Sequence, residues 1–352
     1  MADLSMRRCF LLILSTTFAI SAALAGRPDS LQQPGEKHLR NIRQLTFGGT
    51  NAEAYFSFDG KKIIFQSTRP PYHCDQIFTM SLDGSDQRLV SSGAGRTTCA
   101  YFFPGDQRIL YASTHVHGND CPRPPDKSKG YVWGVFNAYD IFAANADGSR
   151  LGVLTASDGY DAEATVSPTG DKIVFTSSRD GDLDLYTMNL DGSDIRRITT
   201  ELGYDGGAFF SWDGKRIVYR AYHPTDSAEV REYEDLLSEQ LVKPGKMEIF
   251  ICNADGSGKK QLTRTGTANF APFFVPGDKR IIFSSNMKDP RGRNFEVYLM
   301  NDEGSNLEEV TFGGYFNAFP MFTRDGKKIV FVSDRNARTA YEFNVFLADW
   351  IE

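Results

Sequence analysis

Polar side chains recur at one position of a repeating unit, and their chemical types suit the binding of a cation or a polar ligand. The position carries Asn or Asp in five repeats and Thr in the sixth: Asn51, Thr97, Asp161, Asp205, Asn269 and Asn317. Two residues later, on the same side of an extended strand, Glu53 and Glu163 add carboxylates. Such oxygens at a channel mouth would orient a ligand. The alternative is structural, because Asn and Asp commonly bond neighbouring backbone at turns.

A second recurring position carries His115 and His223, and three other repeats carry arginine there: Arg69, Arg179 and Arg335. Histidines grouped at a cleft can ligate a metal or move protons, so both join the candidate ligand-binding residues. The arginines are expected to anchor a loop or to pair with a carboxylate of the next repeat. No cofactor is predicted, although the histidines leave a divalent metal open.

Signatures of covalent catalysis are absent from the sequence. No G-x-S-x-G nucleophile elbow occurs. Glu53 and Glu163, which lie two repeats apart, could act as an acid and a base, but nothing in the sequence indicates perturbed environments for them. The residues therefore favour a binding protein over an enzyme, without deciding the question.

The element that positions these residues is a four-stranded repeat, seen most plainly in residues 159–199. Its second strand, KIVFTSS, is β-branched and aromatic, and Asp191-Gly192 suits a tight hairpin turn. The second strand recurs as KKIIFQST, QRILYAST, KRIVYRAY, KRIIFSSN and KKIVFVSD. Six copies at a period of about 45 residues predict an all-β protein, a six-bladed β-propeller.

The two ends of the chain predict how the ring closes. Residues 41–46 (NIRQLT) match the outer strand of a blade, yet they precede any innermost strand. The chain stops after a third strand, FNVFLADW. We therefore expect the N-terminal strand to complete the last blade, which leaves no unpaired seam.

The repeats resemble those of TolB-type propellers. The resemblance rests on the recurring S-x-x-G-x-(K/R)-I-(V/I)-(F/Y) and (I/L)-(F/Y)-x-x-N-x-D-G elements, and it spans residues 40 to 350. It implies the propeller fold and, more weakly, an envelope role, because one scaffold hosts many activities. TolB itself carries an α/β domain before its propeller, whereas only about 15 residues separate the predicted leader from the first strand here.

Two insertions, residues 116–137 and 224–245, interrupt the period between the second and third strands of their blades. Both should therefore lie on one face of the disc, here called the inserted face. The first carries Tyr131 and Trp133, which are candidate ligand-binding side chains. The second has a capping-box spacing at Asp226 and Glu229 and predicts a short amphipathic helix. A ligand lid is one reading of these loops, and tolerated length is the other.

The N-terminus has the features of a secretory leader. Arg7 and Arg8 precede an apolar run that ends in a small-residue site, which predicts a signal peptide over residues 1–25. Residues 26–39 then form a predicted flexible lead-in, and residues 40–352 form the propeller. The predicted location is periplasmic or secreted. A formal net charge of −6 gives no electrostatic case for nucleic acid, and no second apolar stretch indicates membrane insertion.

Three of the cysteines are candidates for a disulfide if the protein is exported. Cys74, Cys99 and Cys121 all fall near the inserted face, and an oxidising compartment favours one disulfide among them. Spacing does not name the pair. Cys252 takes a buried strand position in the repeat and is predicted to be a free thiol.

The leading functional prediction is an exported, monomeric binding or scaffold module. Its partner would be a protein, a peptide, or a polar small molecule or oligosaccharide bound at the channel mouth. One alternative is a metal-dependent enzyme of the oligogalacturonate-lyase type, whose propellers are similar to that of TolB. Another is a subunit of a cell-envelope assembly.

Overall fold

A computed structural model describes residues 31–352, and these form a six-bladed β-propeller with antiparallel, four-stranded blades. Blade 1 contains Thr50–Phe56, Lys62–Thr68, Gln76–Ser81 and Arg88–Leu89, and blade 2 contains Thr97–Phe102, Arg108–Ser113, Asp140–Asn145 and Gly152–Val153. Blade 3 contains Asp161–Val166, Lys172–Ser177, Asp184–Asn189 and Arg196–Arg197, and blade 4 contains Tyr204–Phe210, Arg216–Tyr222, Glu248–Asn253 and Lys260–Gln261. Blade 5 contains Asn269–Phe274, Arg280–Ser285, Glu296–Asn301 and Glu308–Glu309. The predicted fold class is confirmed.

Blade 6 contains Asn317–Phe322, Lys328–Ser333, Asn344–Trp350 and, as its outer strand, the N-terminal Leu39–Gln44. This outer strand runs antiparallel to the last strand of the chain, with Leu39 opposite Trp350 and Gln44 opposite Phe346. The ring therefore closes as the sequence predicts, because the two chain ends share one sheet.

The core lies between the blades, where the second and third strands bury both faces. In blade 3 the side chains of Ile173, Val174 and Phe175 are fully buried, as expected for a β-branched and aromatic run packed between neighbouring sheets. The turn that follows the third strand needs glycine at Gly192. Its φ is +85°, and a Cβ atom there would lie 2.7 Å from the Leu154 carbonyl oxygen of the preceding blade.

Residues 31–38 pack against blade 6, so the prediction of a flexible lead-in is wrong for this part of the chain. The Glu36 side chain is buried and pairs with Arg335, whose Nη2 donates to Glu36 Oε1 at 2.7 Å. The ring of His38 stacks on Trp350 at a centroid distance of 4.8 Å. The predicted leader lies outside the described residues. Within residues 31–352, no helix is both long and apolar enough to span a bilayer.

The two insertions join each other. The first contains the 3-10 turns His115–His117 and Lys127–Lys129 and the strand Trp133–Gly134. The second contains the helix Ser227–Ser238 and the strand Leu241–Val242. The two short strands pair with each other. Asp226 caps the start of this helix: its Oδ1 accepts hydrogen bonds at 2.9 Å from the backbone N–H groups of Ala228 and Glu229, so the predicted N-cap is present.

A disulfide joins Cys74 to Cys121, with the two Cα atoms 5.9 Å apart. It ties the first insertion to blade 1. Cys99 and Cys252 are free and buried. One bridge among the three candidates was expected, and the fold selects the pair because Cys99 lies on an innermost strand.

Candidate functional site

The ring of recurring polar side chains is buried between blades, which corrects the prediction that it faces a ligand. All six members are fully buried: Asn51, Thr97, Asp161, Asp205, Asn269 and Asn317. Asn51 Nδ2 donates to the Phe343 carbonyl oxygen at 2.6 Å. Thr97 Oγ1 donates to the Asp75 carbonyl oxygen at 2.9 Å. Both acceptors directly precede the third strand of the preceding blade, so these side chains connect neighbouring blades.

Four ring residues are also bonded to the side chain eighteen positions later in the same blade. The pairs are Asn51 with Arg69 at 2.7 Å, Asp161 with Arg179 at 2.9 Å, Asp205 with His223 at 2.9 Å and Asn317 with Arg335 at 2.9 Å. The arginines also lie over rings, as Arg179 does over Phe175 at 5.2 Å. The arginines were predicted to anchor a loop or to pair with a carboxylate of the next blade. In the structure each one donates to an amide or carboxylate of its own blade, and Arg335 also pairs with Glu36 of the N-terminal segment.

The two candidate histidines do not meet at the channel. His115 Nδ1 lies 2.9 Å from Ser113 Oγ, and its ring packs on Phe142 at 4.4 Å. Burial lowers the pKa of His223, but the hydrogen bond and charge of Asp205 outweigh burial and raise that pKa above its usual value. Across residues 31–352, no group of three or more His, Cys, Asp or Glu side chains is arranged to hold a metal ion.

The side chains that line the channel come from a β-bulge in each innermost strand. Six equivalent residues have φ between 49° and 58°: Glu53, Cys99, Glu163, Gly207, Ala271 and Phe319. All six line the central cavity. A left-handed backbone costs a non-glycine residue about 1 kcal/mol or more, so its recurrence in six blades indicates that the fold imposes the bulge. The bulge separates these side chains from the buried ring two residues earlier.

Glu163 is the most heavily bonded group in the channel. Tyr204 Oη donates to both of its carboxylate oxygens at 2.8 Å, and the Gly207 N–H donates at 2.6 Å. Arg220 Nη2 donates to Glu163 Oε1 at 2.7 Å. Burial alone would lower the pKa of Arg220, but the charge of Glu163 outweighs burial and raises that pKa. Glu163 and Arg220 therefore form a buried ion pair in which both carboxylate oxygens accept hydrogen bonds.

Glu53 and Cys99 form a second, hydrogen-bonded pair beside Glu163. Burial raises the pKa of Glu53, and the hydrogen bond from Cys99 lowers it only in part. Burial also raises the pKa of the Cys99 thiol well above its usual range. Tyr55 Oη donates to Glu53 Oε2 at 3.2 Å. Because the thiolate is the nucleophilic form of cysteine, a thiol with so high a pKa is a poor nucleophile.

The cavity between these side chains is too small for a ligand of ordinary size. A water-sized sphere can reach about 20 Å³ of it, which is room for about one water molecule. Above it, the Trp133 ring of the first insertion lies 5.0 Å from Arg220 Cζ. The predicted ligand residues Glu53 and Glu163 thus line a narrow channel, and Trp133 lies over Arg220 at its side.

The exposed aromatic side chains lie on the outer surface of the inserted face. Among the Phe, Tyr and Trp side chains of residues 31–352, three are exposed: Phe47, Tyr131 and Tyr341, by 65, 65 and 64 %. Arg293 Cζ lies 5.9 Å from the Tyr131 ring and 4.8 Å from the Tyr341 ring. The Gly48 N–H donates to Glu342 Oε1 at 3.0 Å, which joins the loop of Phe47 to that of Tyr341. We call Phe47, Tyr131, Arg293 and Tyr341 the aromatic patch.

Sequence reasoning identified Tyr131 in this patch and missed its three neighbours. Arg293 and Tyr341 lie in the loops that follow the second strands of blades 5 and 6, at residues 286–295 and 334–343. These loops are longer than the equivalent turn of blade 3, residues 178–183. That extra length, with an arginine or a tyrosine near its end, is the available sequence signal.

Comparison with known sequences identifies one family. The family model described as the TolB beta propeller domain matches residues 135–234 and 231–349, which together cover more than half of the 352 residues. No curated protein sequence matches the chain.

Comparison with solved structures finds the same architecture in several proteins. Putative TolB from Agrobacterium tumefaciens has a TM-score of 0.59 at 19 % identity, over 88 % of this chain and 97 % of that one. TolB from Acinetobacter baumannii has a TM-score of 0.57 at 17 % identity, over 84 % of this chain and 65 % of that one. An oligogalacturonate lyase in complex with manganese has a TM-score of 0.53 at 14 % identity, over 91 % and 95 %. At such identities the likeness shows the fold alone.

Proposed function

Since the chain belongs to the TolB β-propeller family, we propose that it is a binding module whose inserted face recognises a protein or peptide partner. The observation that carries this proposal is the aromatic patch. Its three rings are the exposed Phe and Tyr side chains of residues 31–352, and loops from blades 1, 2 and 6 bring them to one face, beside Arg293 of blade 5.

The residue types of the patch are those that dominate protein interfaces. Tyrosine and arginine are enriched among the residues that carry most of the binding energy, and rigid rings lose little conformational entropy when they are covered. Burying about 100 Å² of each exposed ring would contribute about 2.5 kcal/mol per ring. Association costs about 4 kcal/mol or more, so the three rings would act as anchors within a larger contact.

The small size of the channel favours a binding site on the outer surface, because a ligand of ordinary size does not fit inside the channel. Its free space suits about one water molecule, and Trp133 covers Arg220. The paired insertions therefore act as a roof that presents Tyr131 outward, and a sugar or peptide would be bound above this roof.

The metal-dependent enzyme alternative finds little support in the side chains present. A structural neighbour is described in complex with manganese, but here His115 is bonded to Ser113 and His223 to Asp205, in blades 2 and 4. No cluster of potential metal ligands occurs within the described part of the chain. The residues do not fit such an ion, and we derive no reaction through one.

We propose an exported location, periplasmic or secreted, for this module. The disulfide between Cys74 and Cys121 supports an oxidising compartment, and residues 1–25 have the composition of a secretory leader. If the partner is a resident envelope protein, the chain would be a subunit of a cell-envelope assembly.

Site-specific photo-crosslinking in the exporting cell tests the proposal. A photoreactive residue replaces Tyr131 or Tyr341, and the matched control carries it at Leu307, which is 51 % exposed in a turn on the opposite face. We expect a discrete crosslinked protein from the two patch positions and none from Leu307. The same product from all three positions, or none from the patch, would contradict a binding role of the inserted face.

A further inference from the structure

We propose that the partner segment bound at the inserted face is an acidic peptide segment, and that Arg293 receives one of its carboxylates between Tyr131 and Tyr341. This inference rests on the proposed function and names the chemistry of its partner. It would make Arg293 the residue that selects the partner, whereas the rings supply contact area.

The geometry of Arg293 leaves its donors free. Its guanidinium carbon lies 4.8 Å from the Tyr341 ring and 5.9 Å from the Tyr131 ring, so the two rings hold the group by cation–π contacts. Arg293 is exposed, and no carboxylate of residues 31–352 forms an ion pair with it. The planar group carries five N–H donors suited to bidentate carboxylate recognition.

The surroundings add positive charge that the protein does not neutralise. Arg291 and Arg338 are exposed as well, and neither has an ion-pair partner among the described residues. The nearby Glu342 is bonded instead to the backbone N–H groups of Gly48 and Arg338, each at 3.0 Å. Residues 286–295 contain three basic side chains, of which Lys288 pairs with Glu309, and one acidic side chain, in a chain whose formal net charge is −6.

Charge complementarity therefore favours an acidic occupant over a neutral or basic one. The size of the patch favours a short segment, because the rings of Tyr131 and Tyr341 are at most 10.7 Å apart, the sum of 4.8 Å and 5.9 Å. About three extended residues span that distance. A long polyanion or an anionic bilayer would meet the negative charge of the rest of the surface.

The test uses two peptide arrays and vesicles with the whole mature protein. The first array carries extended peptides that alternate Asp or Glu with aromatic residues, and in the second every Asp or Glu is replaced by Asn or Gln. We expect binding to the acidic array alone, weakened by salt. Arg293→Gln should weaken it about tenfold, Arg293→Lys should weaken it less, and the control Arg196→Gln, on the outer strand of blade 3, should leave it unchanged.

The outcomes separate this inference from the function on which it rests. Equal binding to both arrays, abolished by Tyr131→Ala but unaffected by Arg293→Gln, would overturn the acidic partner and keep the binding module. Binding to neither array, with no crosslink at Tyr131, would overturn both. Binding to phosphatidylglycerol vesicles in place of the acidic peptides would show that the patch recognises an anionic lipid surface, which contradicts the inference. Each variant alters an exposed side chain, so its melting temperature should match that of the parent.

Discussion

Replacing Asp161 by Ala should destabilise the propeller and leave partner binding per folded molecule unchanged. The Asp161 carboxylate is fully buried and accepts hydrogen bonds from Arg179 Nη2 at 2.9 and 3.0 Å and from Ser157 Oγ at 2.9 Å. Breaking a buried pair by removing one partner costs about 3–5 kcal/mol. Because the Arg179 side chain is 20 % exposed and can regain some water, we expect about 2–3 kcal/mol.

The measurement is thermal unfolding beside a binding titration with an acidic array peptide. A loss of 2–3 kcal/mol corresponds to a fall in melting temperature of roughly 3–4 °C for a chain of this size. Asp161→Asn should cost only about 1 kcal/mol, because Asn51 and Asn317 fill the same position in blades 1 and 6 and still accept from an arginine. Glu232→Ala, at an exposed ion pair with Lys243 on the helix surface, is the matched control and should cost less than about 1 kcal/mol.

An unchanged melting temperature in Asp161→Ala together with lost binding would refute the reasoning. It would mean that the buried ring contacts the partner after all, so the packing between blades would have to open in the bound state. The control separates this result from a general effect of removing a negative charge.

Four further outcomes are expected. Met287→Arg should raise stability by about 1 kcal/mol in thermal unfolding, because Asn269 Oδ1 is buried without a partner and the equivalent position holds arginine in three blades; a lower melting temperature would contradict this. Burial raises the pKa of Asp184 from 3.8 to about 7, although the charge of Arg197 lowers it in part. Between these two values the folded state binds a proton that the unfolded state has released, so the free energy of unfolding should fall as pH rises from about 4 to about 7. The fall should be smaller in Asp184→Asn. Deleting the chain through Thr46 should abolish monomeric protein in size-exclusion chromatography, since the edge of blade 6 loses its outer strand. Thiol titration of the denatured, unreduced mature protein should find two thiols; four would exclude the disulfide.

The fold could be predicted from the sequence because its signals are local and repeated. Each second strand carries its own β-branched run, and each Asp-Gly turn sets a left-handed backbone at one residue. Ring closure was predictable for the same reason, because NIRQLT has the sequence pattern of an outer strand although it lies at the start of the propeller. One choice among three cysteine pairings remained open, because spacing carries no information on distance.

The candidate site depended on the tertiary structure at two points. In a regular strand, alternation would put Asn51 and Glu53 on the same side. A β-bulge between Ala52 and Tyr55 instead directs Glu53 into the channel and leaves Asn51 between blades. The bulge follows from the packing of six innermost strands around one axis, which no single repeat encodes. The aromatic patch is likewise non-local. Tyr131 and Tyr341 are distant in sequence and lie in blades 2 and 6, and only closure of the ring brings both rings to Arg293.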